Sequence, residues 1–501
     1  MTIVSTLLRR RWLGPVAVLA VALIFRFWAL GRPDTLVFDE VYYVRDAISQ
    51  LAHGYPTVWP DREPSLAGGR ATEFSETAAN AVHPPLGKWL IGLGILVFGA
   101  DTGWGWRSAV ALAGVLTVAL TMRLAWSMSR SLVTTCLAGL LLAIDGVHVT
   151  LSRVGLLDGL LTCAIAAGAL CLWHDHLRDR TRSWWMRPWL VGGAACFGAA
   201  SAIKWSGMYP LVFLFVFIAV SDVLVSRRTG SRHPWFGAAG RTIVTGIGAL
   251  MVALTTYVAS WAGWILTSGG HARDSAPSWW GALWRYHVEM FEWHRTLSAP
   301  HPYDSSPWTW PLGLVPTAMH RSSVPAPGAA SGSDAADWVS VVSPLPNLLV
   351  TWGGLLALVV LVIAVGMAVT RAARQRGGGL VANPLVGSAA FIVVAYLSGW
   401  LPWVLTVSRS AVFQFYAVVL TPFAALALAL VLAALVRAPD AAGHRLFRFA
   451  DDRGALLGRR IAVGIFVCVA VAVSCFFFPL WTGMPVSTEF WHLHLWLPDW
   501  V

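Results

Sequence analysis

Charge is scarce in this chain. Charged residues fill 12% of its 501 positions, where a soluble domain carries about 25%. Lysine is nearly absent, since Lys88 and Lys204 are the only two. Length alone suggests roughly three soluble domains, but so few ionisable side chains cannot clothe three domains in water. Cysteine is sparse too. Cys136, Cys163, Cys171, Cys196, Cys468 and Cys475 all lie in apolar runs, none at metal-ligand spacing from a histidine. They read as small buried hydrophobes, with no structural disulfide expected. The net charge of +11 invites a nucleic-acid reading. The positive residues lie in short loops between apolar runs, however, not in a patch interleaved with exposed aromatics. Nucleic acid is therefore not an expected partner.

What the chain has is apolar length. Hydrophobic residues make up 57% and the mean hydropathy is +0.64. Runs of about 20 apolar residues, each enough to cross a bilayer, recur throughout. The spans predicted from them are 13–30, 106–126, 131–150, 155–175, 188–203, 207–225, 242–267, 347–370, 385–407, 411–436 and 460–481. The run 86–99 is too short to cross and reads as interfacial or re-entrant. Arg9 to Arg11 precede the first span without a small-residue cleavage site before Arg32, so a retained signal anchor is expected. With the N-terminus in the cytoplasm, most Lys and Arg fall on the cytoplasmic side, as the positive-inside rule asks. Eleven spans then put the C-terminus outside. The expected fold class is an all-α membrane protein with the lipid bilayer as solvent. Its parts are a transmembrane module 1–267 with an outside loop 31–105, an outside loop 268–346, and C-terminal helices 347–501. Residues 321–337 read as a flexible linker.

The residues able to do chemistry gather in the two outside loops and at span edges facing them. Phe38-Asp39-Glu40-Val41-Tyr42-Tyr43 sets two carboxylates just outside the first span. Adjacent carboxylates point to different sides of a helix, so separate roles are expected. One beside apolar residues can have a raised pKa and act as general base; the bland alternative is a solvated acidic pair. In His83-Pro84-Pro85-Leu86-Gly87-Lys88-Trp89, the prolines fix a turn. His83 is a candidate substrate contact, and Lys88 either binds phosphate or snorkels to headgroups. Arg107, Arg153, Lys204 and Arg409 stand at span edges, where charges are costly and functional by default. Several cations on one side suit a lipid phosphate, against the plainer reading of interfacial anchors or local pairs such as Arg153 with Asp158. His287, Glu289 and His294 lack the spacing of a helical zinc motif. Trp308 and Trp310 read either as a sugar-stacking wall or as interfacial belt residues.

Taken together, FDEVYY (38–43), HPPLGKW (83–89), SRVGLLDG (152–159), KWSGMYP (204–210) and HRTLSAPHPYDSSPWTWPL (294–312) resemble the protein O-mannosyltransferases. These are multi-spanning, lipid-phosphosugar-dependent enzymes of the GT-C glycosyltransferase fold. The motifs run in family order over nearly the whole chain. The resemblance implies a polyprenyl- or dolichyl-phosphate-mannose donor, Ser/Thr hydroxyls of exported proteins as acceptors, and inversion at the sugar. It implies a cell-membrane location with the active site on the extracytoplasmic face. It leaves a partnership with the protein export channel open. Asp39 matches the family's catalytic aspartate, with Glu40 helping to hold the acceptor and Arg107 near the donor phosphate. Lys204, Arg409 and Arg153 join Arg107 as expected phosphate contacts. His83, Lys88, Asp158, His294, His301, Tyr303 and Trp308 are the expected substrate contacts. A phosphate leaves without protonation, so no general acid, metal or other cofactor is expected. The large β-trefoil-type insert of eukaryotic members is absent here, and GLVPTAMHRSSVPAPG after WPL departs from the family's basic and aromatic continuation. Two rivals stay in view: another GT-C enzyme glycosylating a lipid or cell-wall glycan, and a lipid-linked-sugar transporter.

Overall fold

The computed structural model describes residues 11–61, 63–178, 186–228, 234–326, 337–374, 384–406, 411–436 and 453–500. The chain opens with α1 (Leu13–Phe27), α2 (Glu40–His53), α3 (Leu86–Phe98), α4 (Gly103–Ser129), α5 (Leu132–Ala143), α6 (Gly146–Leu151) and α7 (Leu157–His176). It continues with α8 (Pro188–Ile203), α9 (Met208–Arg228), α10 (Pro234–Ala259), α11 (Ala262–Leu266) and α12 (Trp279–Thr296). After β1 (His320–Ser323) and β2 (Trp338–Val342) come α13 (Leu348–Arg374), α14 (Pro384–Thr406), α15 (Thr421–Val436), α16 (Arg453–Thr482), β3 (Pro485–Ser487) and α17 (Thr488–His492).

Eight of the described helices are long and apolar enough to cross a membrane. They begin with α4 and α7 and include α15 with the 3₁₀ stretch Gln414–Leu420 before it. The predicted spans 13–30, 131–150 and 188–203 coincide with shorter apolar helices, α1, α5 and α8. The span expected at 131–150 is broken, because Asp145 starts a new helix: its carboxylate accepts the His148 N–H at 2.8 Å and caps α6. The run 86–99 forms α3, which packs on α4 through glycine. A Cβ on Gly105 would meet the Gly99 carbonyl, and one on Gly94 would meet the Gly105 carbonyl at 2.5 Å. Small residues admit such close backbone approach between apolar helices.

The part of the linker at 321–323 is ordered. It lies in β1, which pairs antiparallel with β2, and β2 pairs with β3, in register His320↔Val342 and Trp338↔Ser487. Alternating side chains explain why: Val339, Val341 and Val486 bury against Phe477, Trp481, Trp491 and Trp500. The Arg321 guanidinium lies 4.1 Å over the Trp491 ring. Cys468 and Cys475 are exposed on α16, not buried as expected.

Outside the long helices, α12 packs on α11 and on the loop that precedes α3. α12 is amphipathic. Ala282, Leu283, Tyr286 and Met290 pack against Trp261 and Trp264, while Trp280, Trp284 and Phe291 face outward. The Tyr286 hydroxyl receives the Ala81 N–H at 3.0 Å, and His294 Nε2 lies 2.8 Å from the Val82 carbonyl. α12 thereby fixes the loop that carries His83.

Candidate active site

α2 starts where Phe38, at φ 47°, turns the chain. Asp39 flanks the helix and Glu40 is its first residue, so the two carboxylates leave it about 100° apart. Glu40 turns inward and is fully buried. Its Oε1 accepts from Arg107 Nε at 2.7 Å and from the Gly155 N–H at 2.6 Å. Its Oε2 accepts from Arg107 Nη2 at 2.7 Å and from the Val37 N–H at 2.9 Å. Arg107 also donates to the carbonyls of Leu30, Pro33 and Thr35. All five guanidinium N–H groups are thus used inside the protein. The expected roles, Glu40 on the acceptor and Arg107 on the donor phosphate, have no free hydrogen-bonding group left. The pair instead ties α2 to α4.

Asp39 turns the other way, into a cavity of about 680 Å³. Along α2 the cavity wall continues through Tyr43 and Asp46, four and seven residues on, which is one helical face. His83, Lys88 and His294 line it as well, as do Trp293, Phe413 and Tyr416. Burial pushes the Asp39 carboxyl up to about 6, against the pull of the Lys204 charge and a hydrogen bond from Tyr43.

The other expected residues divide. Lys204 Nζ bonds both Asp158 oxygens, at 2.9 and 3.1 Å, and lies 3.9 Å over the Tyr416 ring. The partner of Asp158 is therefore Lys204, not Arg153. Arg153 is buried and donates to the carbonyls of Phe25, Arg26 and Ala29 at the end of α1, where a helix C-terminus attracts a cation. It does not reach the cavity wall. Lys88 is buried and neither snorkels nor stands free for phosphate: Nζ is 3.2 Å from Asp46 and donates to the His83 carbonyl at 3.0 Å. The His83 ring sits 5.9 Å from Tyr43 and 5.2 Å from His294. His301 packs on Phe413 and Tyr303 outside the cavity wall. Trp308 is exposed against Trp400, and Trp310 is buried with its indole N–H on Ser305. Neither forms a wall of the cavity. Arg409 lies outside the described residues. His287, Glu289 and His294 face separate partners: Tyr257, His271 and Val82.

Sequence reasoning missed several cavity residues. Tyr43 and Asp46 had a usable signal, their helical spacing from Asp39. Phe413 and Tyr416 had none, since they sit in a run that reads as plain membrane span. Thr57 and Trp59 lie in a loop whose course the sequence does not disclose.

The described chain is mostly helical, with eight helices long and apolar enough to cross a membrane and a carboxylate, Asp39, on the wall of a cavity. Its fold matches that of the S. cerevisiae Pmt1–Pmt2 protein O-mannosyltransferase complex bound to the sugar donor, with TM-score 0.72 and 15% identity over 98% of this chain and 93% of that one. ArnT from Cupriavidus metallidurans bound to undecaprenyl phosphate matches with TM-score 0.54 and 16% identity, over 93% of this chain and 76% of that one. Two family models match the sequence. Dolichyl-phosphate-mannose-protein mannosyltransferase covers residues 16–262, and the C-terminal four-transmembrane region of protein-O-mannosyltransferase covers 279–500. The polyprenol-phosphate-mannose–protein mannosyltransferase of Mycobacterium tuberculosis is 30% identical over 98% of this chain and 92% of its own length. The chain belongs to the protein O-mannosyltransferase family, and is a glycosyltransferase that acts on proteins.

Proposed function

We propose that this enzyme moves mannose from polyprenyl-phosphate-mannose to Ser or Thr hydroxyls of exported proteins, at the extracytoplasmic face of the cell membrane, with inversion at the sugar carbon. The observation that carries the reading is Asp39, a carboxylate on the wall of a cavity large enough for a sugar and an acceptor side chain. Its pKa of about 6 leaves it ionised at neutral pH and more basic than a solvated aspartate, as a general base requires. The acceptor oxygen attacks the sugar carbon as its proton passes to an Asp39 oxygen. The bond from that carbon to the phosphate oxygen breaks, and its electron pair leaves with the lipid phosphate. One carboxylate on the attacking face and a leaving group on the other give a single displacement, hence inversion; retention needs a second, nucleophilic step. The lipid phosphate departs as an anion, so neither a general acid nor a metal is part of this proposal.

Charge on the departing phosphate needs a cation. Arg107 and Arg153 are committed to internal partners, and Lys204 is neutralised by Asp158. Arg409 therefore keeps the proposed phosphate role, two positions before the cavity-lining Ala411. Lys204 shapes the site through Tyr416 and lowers the Asp39 pKa. A membrane-impermeant threonine peptide tests the sidedness. The reading expects labelling in intact cells or right-side-out vesicles, and labelling only in inverted vesicles overturns it. The anomeric configuration of the peptide-linked mannose, compared with that of the donor, tests inversion. Identical configurations overturn it.

A further inference from the structure

The cavity does not end at Asp39. Arg45 lies six residues further along α2, about 9 Å along the helix axis. Beneath the cavity wall there, three polar groups are buried without a hydrogen-bond partner: Arg45 Nε, Thr57 Oγ1 and Trp59 Nε1. Arg45 is 4% exposed and Thr57 1%. The terminal nitrogens of Arg45 hold the adjoining loop through the carbonyls of Asp61 and Glu63. Its guanidinium lies 5.3 Å from the Trp59 ring centre, so the orphaned groups sit on a stacked, anchored wall. That wall is a short two-stranded lip. Val58 donates to the Thr77 carbonyl at 2.8 Å, and Thr57 bridges Ala78 in antiparallel sense.

An unmet buried donor costs about 1–3 kcal/mol, and each such group in a fold calls for an explanation. Guanidinium and indole N–H groups only donate, and a hydroxyl can donate too, so the complement is a set of oxygen acceptors. Asp39, Asp46 and Asp61 line the same cavity. Their charges disfavour a carboxylate and leave a neutral carbonyl as the fitting ligand. We propose that Arg45, Thr57 and Trp59 form an acceptor subsite that receives main-chain carbonyl oxygens of an extended polypeptide. It lies about three extended residues, at roughly 3.3 Å each, from the hydroxyl that Asp39 activates. Engagement parts the lip that covers these groups, and extended segments commonly dock by such main-chain bonds. The subsite rests on the reading of Asp39 as the base at a polypeptide acceptor.

The test uses the full chain in native membranes with polyprenyl-phosphate-mannose. Two acceptors are compared: a long peptide with one central threonine, and N-acetyl-threoninamide, which is too short to reach Arg45. Trp59→Phe removes the indole N–H and keeps an aromatic ring, and Thr57→Val removes the hydroxyl at nearly constant shape. Each is expected to raise KM for the long peptide more than KM for N-acetyl-threoninamide, by roughly three- to tenfold, with the effect in KM and not in kcat. Equal changes for both acceptors, or no change for either, overturn the subsite while leaving Asp39 untouched. Wild-type enzyme that labels neither acceptor overturns the underlying reading itself. Two variants at separate positions guard against loss of folding in one.

Discussion

Substituting Glu40 by Gln separates a structural role from a substrate role at the most buried charge pair of the site. In the wild type the Glu40 carboxylate receives two guanidinium N–H groups and two backbone N–H groups, all between 2.6 and 2.9 Å. The amide of Gln is neutral, and its nitrogen cannot accept from any of them. Arg107 is then left buried with three carbonyls and no counter-charge. Breaking a buried pair from one side costs about 3–5 kcal/mol. At an unfolding entropy of about 2 cal/mol/K per residue, a chain this long loses roughly 1 °C of Tm per kcal/mol. A fall of about 3–5 °C is therefore expected by thermal unfolding in detergent. The double variant Glu40→Leu with Arg107→Met removes both charges and should recover part of the loss. In this account Arg107→Met lowers stability first, and KM for the lipid-linked donor changes little in the molecules that remain folded. An Arg107→Met enzyme of unchanged Tm whose donor KM rises more than tenfold would refute the reasoning and return Arg107 to the phosphate.

Further outcomes follow from the same geometry. Transfer should fall as pH drops through about 6, because Asp39 acts only when ionised and burial holds its pKa there; a rate that stays flat down to pH 4.5 contradicts the base role. Tyr43 donates to that carboxylate and lowers its pKa, so Tyr43→Phe should move the midpoint of the pH–rate profile upward. The folded protein binds an extra proton at Asp39 between the ordinary value of 3.8 and about 6, so this carboxylate subtracts stability as pH rises through that window. Asp39→Asn is accordingly expected to be the more stable protein at pH 7, by up to about 3 kcal/mol, measured by thermal unfolding. Arg409→Ala should raise KM for the lipid-linked donor about ten- to a hundredfold, the worth of a charge-assisted phosphate contact, while KM for the peptide stays within about twofold.

The membrane character was legible because it is written in runs of about 20 residues, and α4, α7, α13 and α16 lie where those runs predict. The break at Asp145 was harder to see. One acidic residue in an apolar run gives no sign of its work, which is to cap α6. Asp39 was legible from a local motif. The use of its neighbour was not, because the Glu40–Arg107 pair joins residues 67 positions apart. Sequence distance hid the Lys204–Asp158 pair in the same way, and the five-residue spacing of Arg153 and Asp158 suggested a nearer but wrong match. Trp308 and Trp310 carried both a sugar-wall reading and a belt reading. Packing decided against the wall, by placing one against Trp400 and burying the other beside Ser305.

The central claim is that Asp39 deprotonates a protein hydroxyl for mannosyl transfer. Its most direct test supplies radiolabelled polyprenyl-phosphate-mannose and a Ser/Thr-rich peptide to membranes carrying the wild type or Asp39→Asn. The account predicts label on the peptide with wild type and a loss of at least about a hundredfold with Asp39→Asn. Peptide labelling that survives in Asp39→Asn, or wild-type label found on an endogenous glycolipid and not on the peptide, would contradict it.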